Sequence, residues 1–396
     1  MELTVRPPDA EPAVARPGPD ADAPSDLARG SVRALEEGRR LTPELAGALA
    51  DAGFARHFVP RRWGGRAGGF GELVTAVSVL AETCASTAWC GALYAAHGRL
   101  AAHLPEDGQR ELWGASPDVR IAAAVAPPSG TARRCGDGWR ISGEWGFASG
   151  VDHADWVLLA VRGGDADGPG GAERGPGAIG RIFAVPRGRF EVRDTWHPLG
   201  MRGTGSHTVV VGEAFVPERL SLTLADLGTA RPGAARCHRV PFPLVAQLQF
   251  VAPIVGAARG ALRTWTERAA ARVPAGGRSA GAAGVQQALA RSAGEVEAAA
   301  LLLEGAAARA DEDGPVVTPL LIARNQRDLA LAAELAAGAV DRLFRSSGAA
   351  GQAVDDPLQR RWRDVTVAAG HGALRFENAA AGYAAAVFGA AAGGAR

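Results

Sequence analysis

The sequence of 396 residues contains no lysine: its 43 basic side chains are all arginine, set against 42 acidic ones. Without a lysine amine there is no Schiff base to a carbonyl substrate or to pyridoxal phosphate. Nor is there the lysine that P-loop NTPases and protein kinases place on a nucleotide phosphate. Neither charge sign dominates (formal net charge +1) and no basic run occurs, so neither nucleic acid nor an anionic membrane is expected as a partner. Cysteine is scarce. Cys84, Cys90, Cys135 and Cys237 form no CxxC pair and no metal-ligand spacing, so no metal site is expected, and without a secretory signal the reducing cytoplasm is the expected compartment. Long apolar runs are also missing. The most apolar stretch, Val240 to Ala258, is interrupted by Pro241, Pro243, Pro253 and two glutamines, and reads as a buried helix rather than a membrane span. No GxSxG, HExxH, Walker or kinase signature is present, and no GxGxxG opens a helix after a strand.

What the sequence does have divides by periodicity. Residues 1–25 are rich in proline, aspartate and alanine and read as a disordered leader. Residues 26–118 read as a helical domain. Thr42-Pro43-Glu44 supplies an N-cap, a proline at the first helical position and a first-turn acid, and Gly53 supplies a stop. Leu73, Val77, Leu80 and Cys84 share one helix face, and Ser86 is a candidate cap for a further helix running to about His103. Residues 119–225 change to short β-rich runs (Trp139–Trp145, Trp156–Val161, Arg181–Val185, His207–Val216) separated by turns, as in a sandwich or barrel, with Gly163–Gly177 as a long surface hairpin loop. From 240 to 396 four long Ala-rich helices are expected, at 243–273, 283–309, 319–347 and 358–389, forming an antiparallel bundle suited to self-association.

Three groups of residues stand out chemically. Glu144 to Gly150 ends a strand with Trp145, Phe147 and Ser149, either ordinary core aromatics or the walls and hydroxyl a flat cofactor needs. Thr195 to His207 concentrates glycines with Thr204 and Ser206, either a plain inter-strand turn or a place where backbone meets a ligand. His371 follows Arg361-Trp362-Arg363-Asp364 on the last helix, either a core histidine or a catalyst.

Taken together and in order, these stretches resemble the acyl-CoA dehydrogenase superfamily. The resemblance rests on Glu44-Leu45 to Gly53 with Val59-Pro60, on Ser86-Thr87-Ala88-Trp89, and on Trp145-x-Phe147-x-Ser149-Gly150 with Ala154-Asp155-Trp156. It continues through Gly200 to Ser206 with Phe215-Val216-Pro217, Gly256 to Gly260, and Arg363-Asp364 with His371. Acyl-CoA dehydrogenases carry a catalytic glutamate shortly after the Arg-Asp pair. Here that segment is Gly370-His371-Gly372, with Glu377 the nearest acid, so the sequence resembles instead the flavin-dependent monooxygenase branch, the oxygenase components of two-component hydroxylases.

The resemblance implies an α+β fold: an N-terminal helical domain, a central β-barrel and a C-terminal four-helix bundle, assembled as a homotetramer. It implies that FADH2 or FMNH2 is delivered by a separate NAD(P)H:flavin reductase and reacts with O2 through a flavin C4a-hydroperoxide. The substrate would be an aromatic, indole-like or polyketide small molecule of secondary metabolism. Ser149 would lie beside flavin N5, with Trp145 and Phe147 along the ring, Ser206 near the phosphate end and Thr204 also binding the cofactor. Arg239 would approach the flavin, Trp89 and His97 would line the substrate pocket, and His371 would act as acid or base. The stretch Ile121–Ala126 lacks the serine that phenol hydroxylases of this branch often place there. Two alternatives remain, an N-oxygenase acting on an amine or amino sugar, and an acyl-CoA dehydrogenase with a displaced base.

Overall fold

The computed structural model describes residues 18–162, 179–228, 233–272, 282–314 and 316–393; the expected hairpin loop Gly163–Gly177 and residues 1–17 of the expected leader lie outside these. The described end of that leader is helical: α1 (Asp22–Gly38) buries Pro24 and Ser25 in its first turn, where proline costs no hydrogen bond. In α2 (Pro43–Asp51) Thr42 caps the N-terminus by accepting from Leu45 N at 3.3 Å. α3 (Phe70–Thr83) buries the stripe of Leu73, Val77 and Leu80, and α4 (Ala85–Ala101) follows after one extended residue, Cys84. Ser86 is therefore not the cap; it is buried within the first turn of α4. All 17 residues of α4 are buried, as befits a helix between layers. α5 (Glu106–Trp113) leads into the sheets.

Two four-stranded sheets share one apolar core. The first contains β1 (Ile121–Ala124), β4 (Trp156–Arg162), β5 (Ile179–Pro186) and β8 (Ser221–Leu222). The second contains β2 (Thr131–Cys135), β3 (Gly138–Ala148), β6 (Glu191–Arg193) and β7 (His207–Pro217). β3 and β7 run antiparallel with Ala148 opposite His207, so the residue after β3 and the residue before β7 meet at one sheet end. The register shifts between Trp145 and Ala148, where Phe147 takes a φ of +64°. A bulge there turns the strand and re-aims its side chains.

The C-terminal bundle differs from four unbroken helices. Its first member is divided into α6 (Arg236–Arg239), α7 (Phe242–Val245) and α8 (Leu248–Arg272), as the closely spaced prolines 241 and 243 favour. α9 (Ala282–Asp311) and α10 (Pro319–Ser346) are continuous. The last expected helix breaks between α11 (Pro357–Ala369) and α12 (Phe376–Gly393). The two breaks meet: Gln247 Nε2 donates to Ala373 O at 2.6 Å. The stretch Phe242–Ala271 is long and apolar enough to cross a membrane, yet 78% of its most apolar window is buried inside the protein. It is a core element packed against α3, α4 and α10.

Candidate active site

Where α4, the β3–β7 sheet end and the two bundle breaks converge, they enclose a cavity of about 380 Å³. This is the size of a small-molecule site. Ser149 and Ser206 arrive side by side because β3 ends where β7 begins, and their hydroxyl oxygens are 2.7 Å apart. Ser206 Oγ lies 2.7 Å from Thr204 Oγ1, and Thr204 Oγ1 donates to Met201 O at 2.9 Å. From α4, Trp89 Nε1 donates to Ser149 Oγ at 3.2 Å and the Tyr94 hydroxyl to Gly150 O at 2.8 Å. Gly150 has a φ of +71°, and a Cβ there would stand 2.8 Å from the Tyr94 oxygen, so this junction requires glycine.

The turn leading into Ser206 is pinned from the bundle. The Asp364 carboxylate of α11 accepts from Met201 N at 2.5 Å and holds Met201 at a φ of +54°, while Arg363 donates to Leu199 O at 2.9 Å and to Glu36 at 2.8 Å. Burial raises the Asp364 carboxyl to about 6, against the opposing pull of Arg360. Behind the turn, His207 Nδ1 accepts from Thr195 N and Trp196 N at 3.2 and 3.3 Å. That leaves its Nε2 facing Asp152 Oδ2 at 3.6 Å.

Two imidazoles complete the cavity. His97 Nδ1 donates to Ile121 O at 2.8 Å, which leaves Nε2 as a bare acceptor. Burial lowers its pKa to about 4, so it is neutral at neutral pH. His371 is not on a helix. It caps the turn between α11 and α12, where Nδ1 accepts from Ala373 N at 3.2 Å and the neutral ring carries its proton on Nε2. Its ring stacks on Phe250 (centroids 4.0 Å, 27° between planes) and meets Trp89 edge-on at 5.9 Å; burial lowers its pKa as well.

Of the residues singled out from the sequence, Trp89, His97, Phe147, Ser149, Thr204, Ser206 and His371 line this one cavity. Two do not. Trp145 is buried between the sheets, its Nε1 donating to Ala160 O at 2.8 Å, because the bulge after it sends alternate side chains elsewhere than simple strand alternation implies. Arg239 is exposed on α6 and its guanidinium is engaged by Asp313 at 2.8 Å. Ser206 is in hydrogen-bond contact with Ser149, so the two hydroxyls form one polar patch rather than two separate ones. Trp196 and Phe250 line the cavity without having been singled out; Trp196 meets Phe147 edge-on at 6.4 Å. Only their aromaticity marked them, a signal too common to use alone.

The donor set fits a flat heteroaromatic group with one polar edge. Phe147 is 67% exposed and held in a backbone conformation that non-glycine residues rarely adopt, a cost sustained at ligand sites. Rings of Phe147, Trp196 and Trp89 provide faces, and the Ser149–Ser206–Thr204 cluster provides hydroxyls. No aspartate, glutamate or arginine lines the cavity among the described residues, and Glu377 is exposed on α12.

Residues 248–376 match the model of the acyl-CoA dehydrogenase C-terminal domain family. The chain is 32% identical over 378 residues to the oxygenase component of the FADH2-dependent resorcinol hydroxylase of Rhizobium sp. (strain MTP-10005), covering 89% of each. Among solved structures, the 3-HSA hydroxylase of Rhodococcus sp. RHA1 superposes with a TM-score of 0.84 at 30% identity, covering 93% of this chain and 95% of that one. XiaF of Streptomyces sp., solved in complex with FADH2 and glycerol, superposes with a TM-score of 0.81 at 29% identity, covering 92% and 93%.

Proposed function

Since the chain belongs to the flavin-dependent monooxygenases of the acyl-CoA dehydrogenase superfamily, we propose that the cavity between α4, the β3–β7 sheet end and the bundle breaks is where it hydroxylates its substrate. The protein is an oxygenase component that uses reduced flavin and O2 to hydroxylate an aromatic-type small molecule. Reduced flavin, when bound, supplies the electrons that activate O2, so that one oxygen atom enters the substrate and the other leaves as water.

In this reading Phe147 and Trp196 hold the flavin ring, and Ser149, Ser206 and Thr204 take its polar edge. His371, stacked on Phe250 and edge-on to Trp89, holds a proton at Nε2, placed to give a hydrogen bond or the proton itself to reduced oxygen. His97 Nε2, a neutral acceptor, receives a substrate hydroxyl and orients the ring. The wall from Ala123 to Ala126 adds shape but no hydroxyl, so His97 is the polar anchor on that side. The apolar lining of Leu93, Leu100, Phe242 and Ala246 excludes water from the reacting carbon. A separate NAD(P)H:flavin reductase supplies the reduced flavin, and the enzyme works as a cytoplasmic homotetramer.

The observation that carries this reading is one cavity in which three linked hydroxyls face two neutral imidazoles and no carboxylate. The absence of a carboxylate among the described lining residues disfavours a displaced dehydrogenase base. The test premixes the protein anaerobically with chemically reduced flavin and each of a panel of phenols, indoles and fused aromatics, then admits isotopically heavy O2. Heavy oxygen in one product is expected. Reduction of oxidised flavin by an acyl thioester, with no oxygen incorporation from any substrate, refutes it.

A further inference from the structure

One positive charge inside the protein lacks a counter-charge. Arg99 of α4 is 3% exposed, yet among the described residues no carboxylate pairs with it. Its Nε donates to Cys237 O at 2.6 Å and its Nη2 to Val240 O, and the guanidinium carbon lies 5.7 Å from the centre of the Phe70 ring. Nη1 has no hydrogen-bond partner among the described residues. The titratable group acting on the guanidinium is the Cys237 thiol, which burial pushes up to about 12 and so keeps uncharged. Burial lowers Arg99 itself to about 10, which still leaves it charged at neutral pH. Two carbonyls and a ring face supply dipoles but no net charge, and a buried cation in that state is costly.

Arg99 lines a second, small cavity of about 20 Å³. Phe242 and Gln249 line both this cavity and the larger one that holds His371, and so stand between the two. The other walls are apolar, among them Phe70, Val77 and Leu248. The Gln249 side chain makes no hydrogen bond among the described residues, so its amide is a second donor beside Nη1. A space of this size takes one water-sized particle, which excludes sulfate, phosphate and any organic acid. Water would bring no charge and would find few polar partners here, whereas a small anion offsets the guanidinium directly. We propose that this cavity binds one small monovalent anion such as chloride, held by Arg99 Nη1 and the Gln249 amide. The anion neutralises the buried charge and strengthens the tie that Arg99 makes from α4 to Cys237 and Val240 at the entrance to the bundle.

The test uses the full chain and needs no turnover. Crystals soaked in bromide should show an anomalous peak beside Arg99 Nη1. In solution, urea unfolding is compared in chloride and in gluconate at equal ionic strength, gluconate being too large for the cavity. Above the dissociation constant, each tenfold rise in chloride should lower the unfolding constant about tenfold, and gluconate should leave it unchanged. Arg99→Gln removes the charge and should abolish the difference between the two salts; if that variant does not fold, the two wild-type measurements decide. No peak in the cavity overturns the proposal, as does equal stabilisation by both salts. A bromide peak without chloride-specific stabilisation also overturns it, marking an adventitious ion only. A chloride dependence retained in Arg99→Gln places the anion elsewhere and overturns it as well.

Discussion

If His97 is the neutral acceptor described above, the stability of the protein must carry its titration. Burial holds its pKa at about 4, from an ordinary 6.5. His57 and His238 are in the same condition, their Nε2 groups paired with Gly69 O at 2.8 Å and Phe58 O at 2.7 Å, and both are likewise lowered to about 4 by burial. As pH falls from 6.5 toward 4, the unfolded chain takes up a proton at each ring and the folded chain does not. Stability is thus complete above pH 6.5 and is lost progressively below it, at about 1.4 kcal/mol per pH unit per ring and about 3 kcal/mol per ring over the whole window.

Asp364 runs the other way. Its carboxyl is raised from 3.8 to about 6, so between these values the folded state keeps a proton that the unfolded state has lost, which offsets one histidine as pH falls. From these four groups together the expectation near pH 5 is a loss of about 3 kcal/mol per pH unit, against a total stability of roughly 5–15 kcal/mol, and the lowered His371 and His207 act in the same direction. Urea unfolding followed by tryptophan fluorescence, repeated from about pH 8 to 5, measures this slope. His97→Gln keeps a donor for Ile121 O but cannot titrate, and should flatten the slope by about 1.4 kcal/mol per unit. Asp364→Asn should steepen it by a similar amount. An unchanged slope in His97→Gln would refute a buried, neutral His97, and with it the acceptor assigned to the substrate pocket.

Further outcomes follow from the same geometry. His371→Ala and His371→Asn should lose hydroxylation by two or more orders of magnitude, within the range of general acid–base catalysis, while reduced-flavin affinity changes little; product assays beside anaerobic titration separate the two. Gly150→Ala must adopt a φ of +71° with its Cβ 2.8 Å from the Tyr94 oxygen, and should lose about 2–4 kcal/mol, read as a drop in urea midpoint. Leu301 is 69% exposed in an open groove between α8 and α9, and in a tetramer it is a natural interface residue. Leu301→Arg should lower the mass measured by light scattering without changing the circular dichroism.

Much of this protein is set locally. Thr42-Pro43 starts α2 and Thr318-Pro319 starts α10 because capping is decided by a few neighbouring residues, and β-rich runs bounded by turn residues mark β3, β4, β5 and β7 for the same reason. The linear order of motifs also sufficed to indicate the family, and with it the residues His371, Ser149, Phe147 and Trp89 that share the cavity. Tertiary structure decided the rest. Whether Trp145 or Phe147 faces the site depends on a bulge in the β3–β7 pairing, which is a relation between strands and not a property of either. Where His371 caps a turn instead of riding on a helix, the break is held from far away in the chain: Gln247 donates to Ala373 O across 126 positions. The hydroxyl cluster of Ser149, Ser206 and Thr204, met by Trp89, needs residues from α4, the end of β3 and the turn before β7 within hydrogen-bond reach, and only the tertiary structure brings those distant segments together.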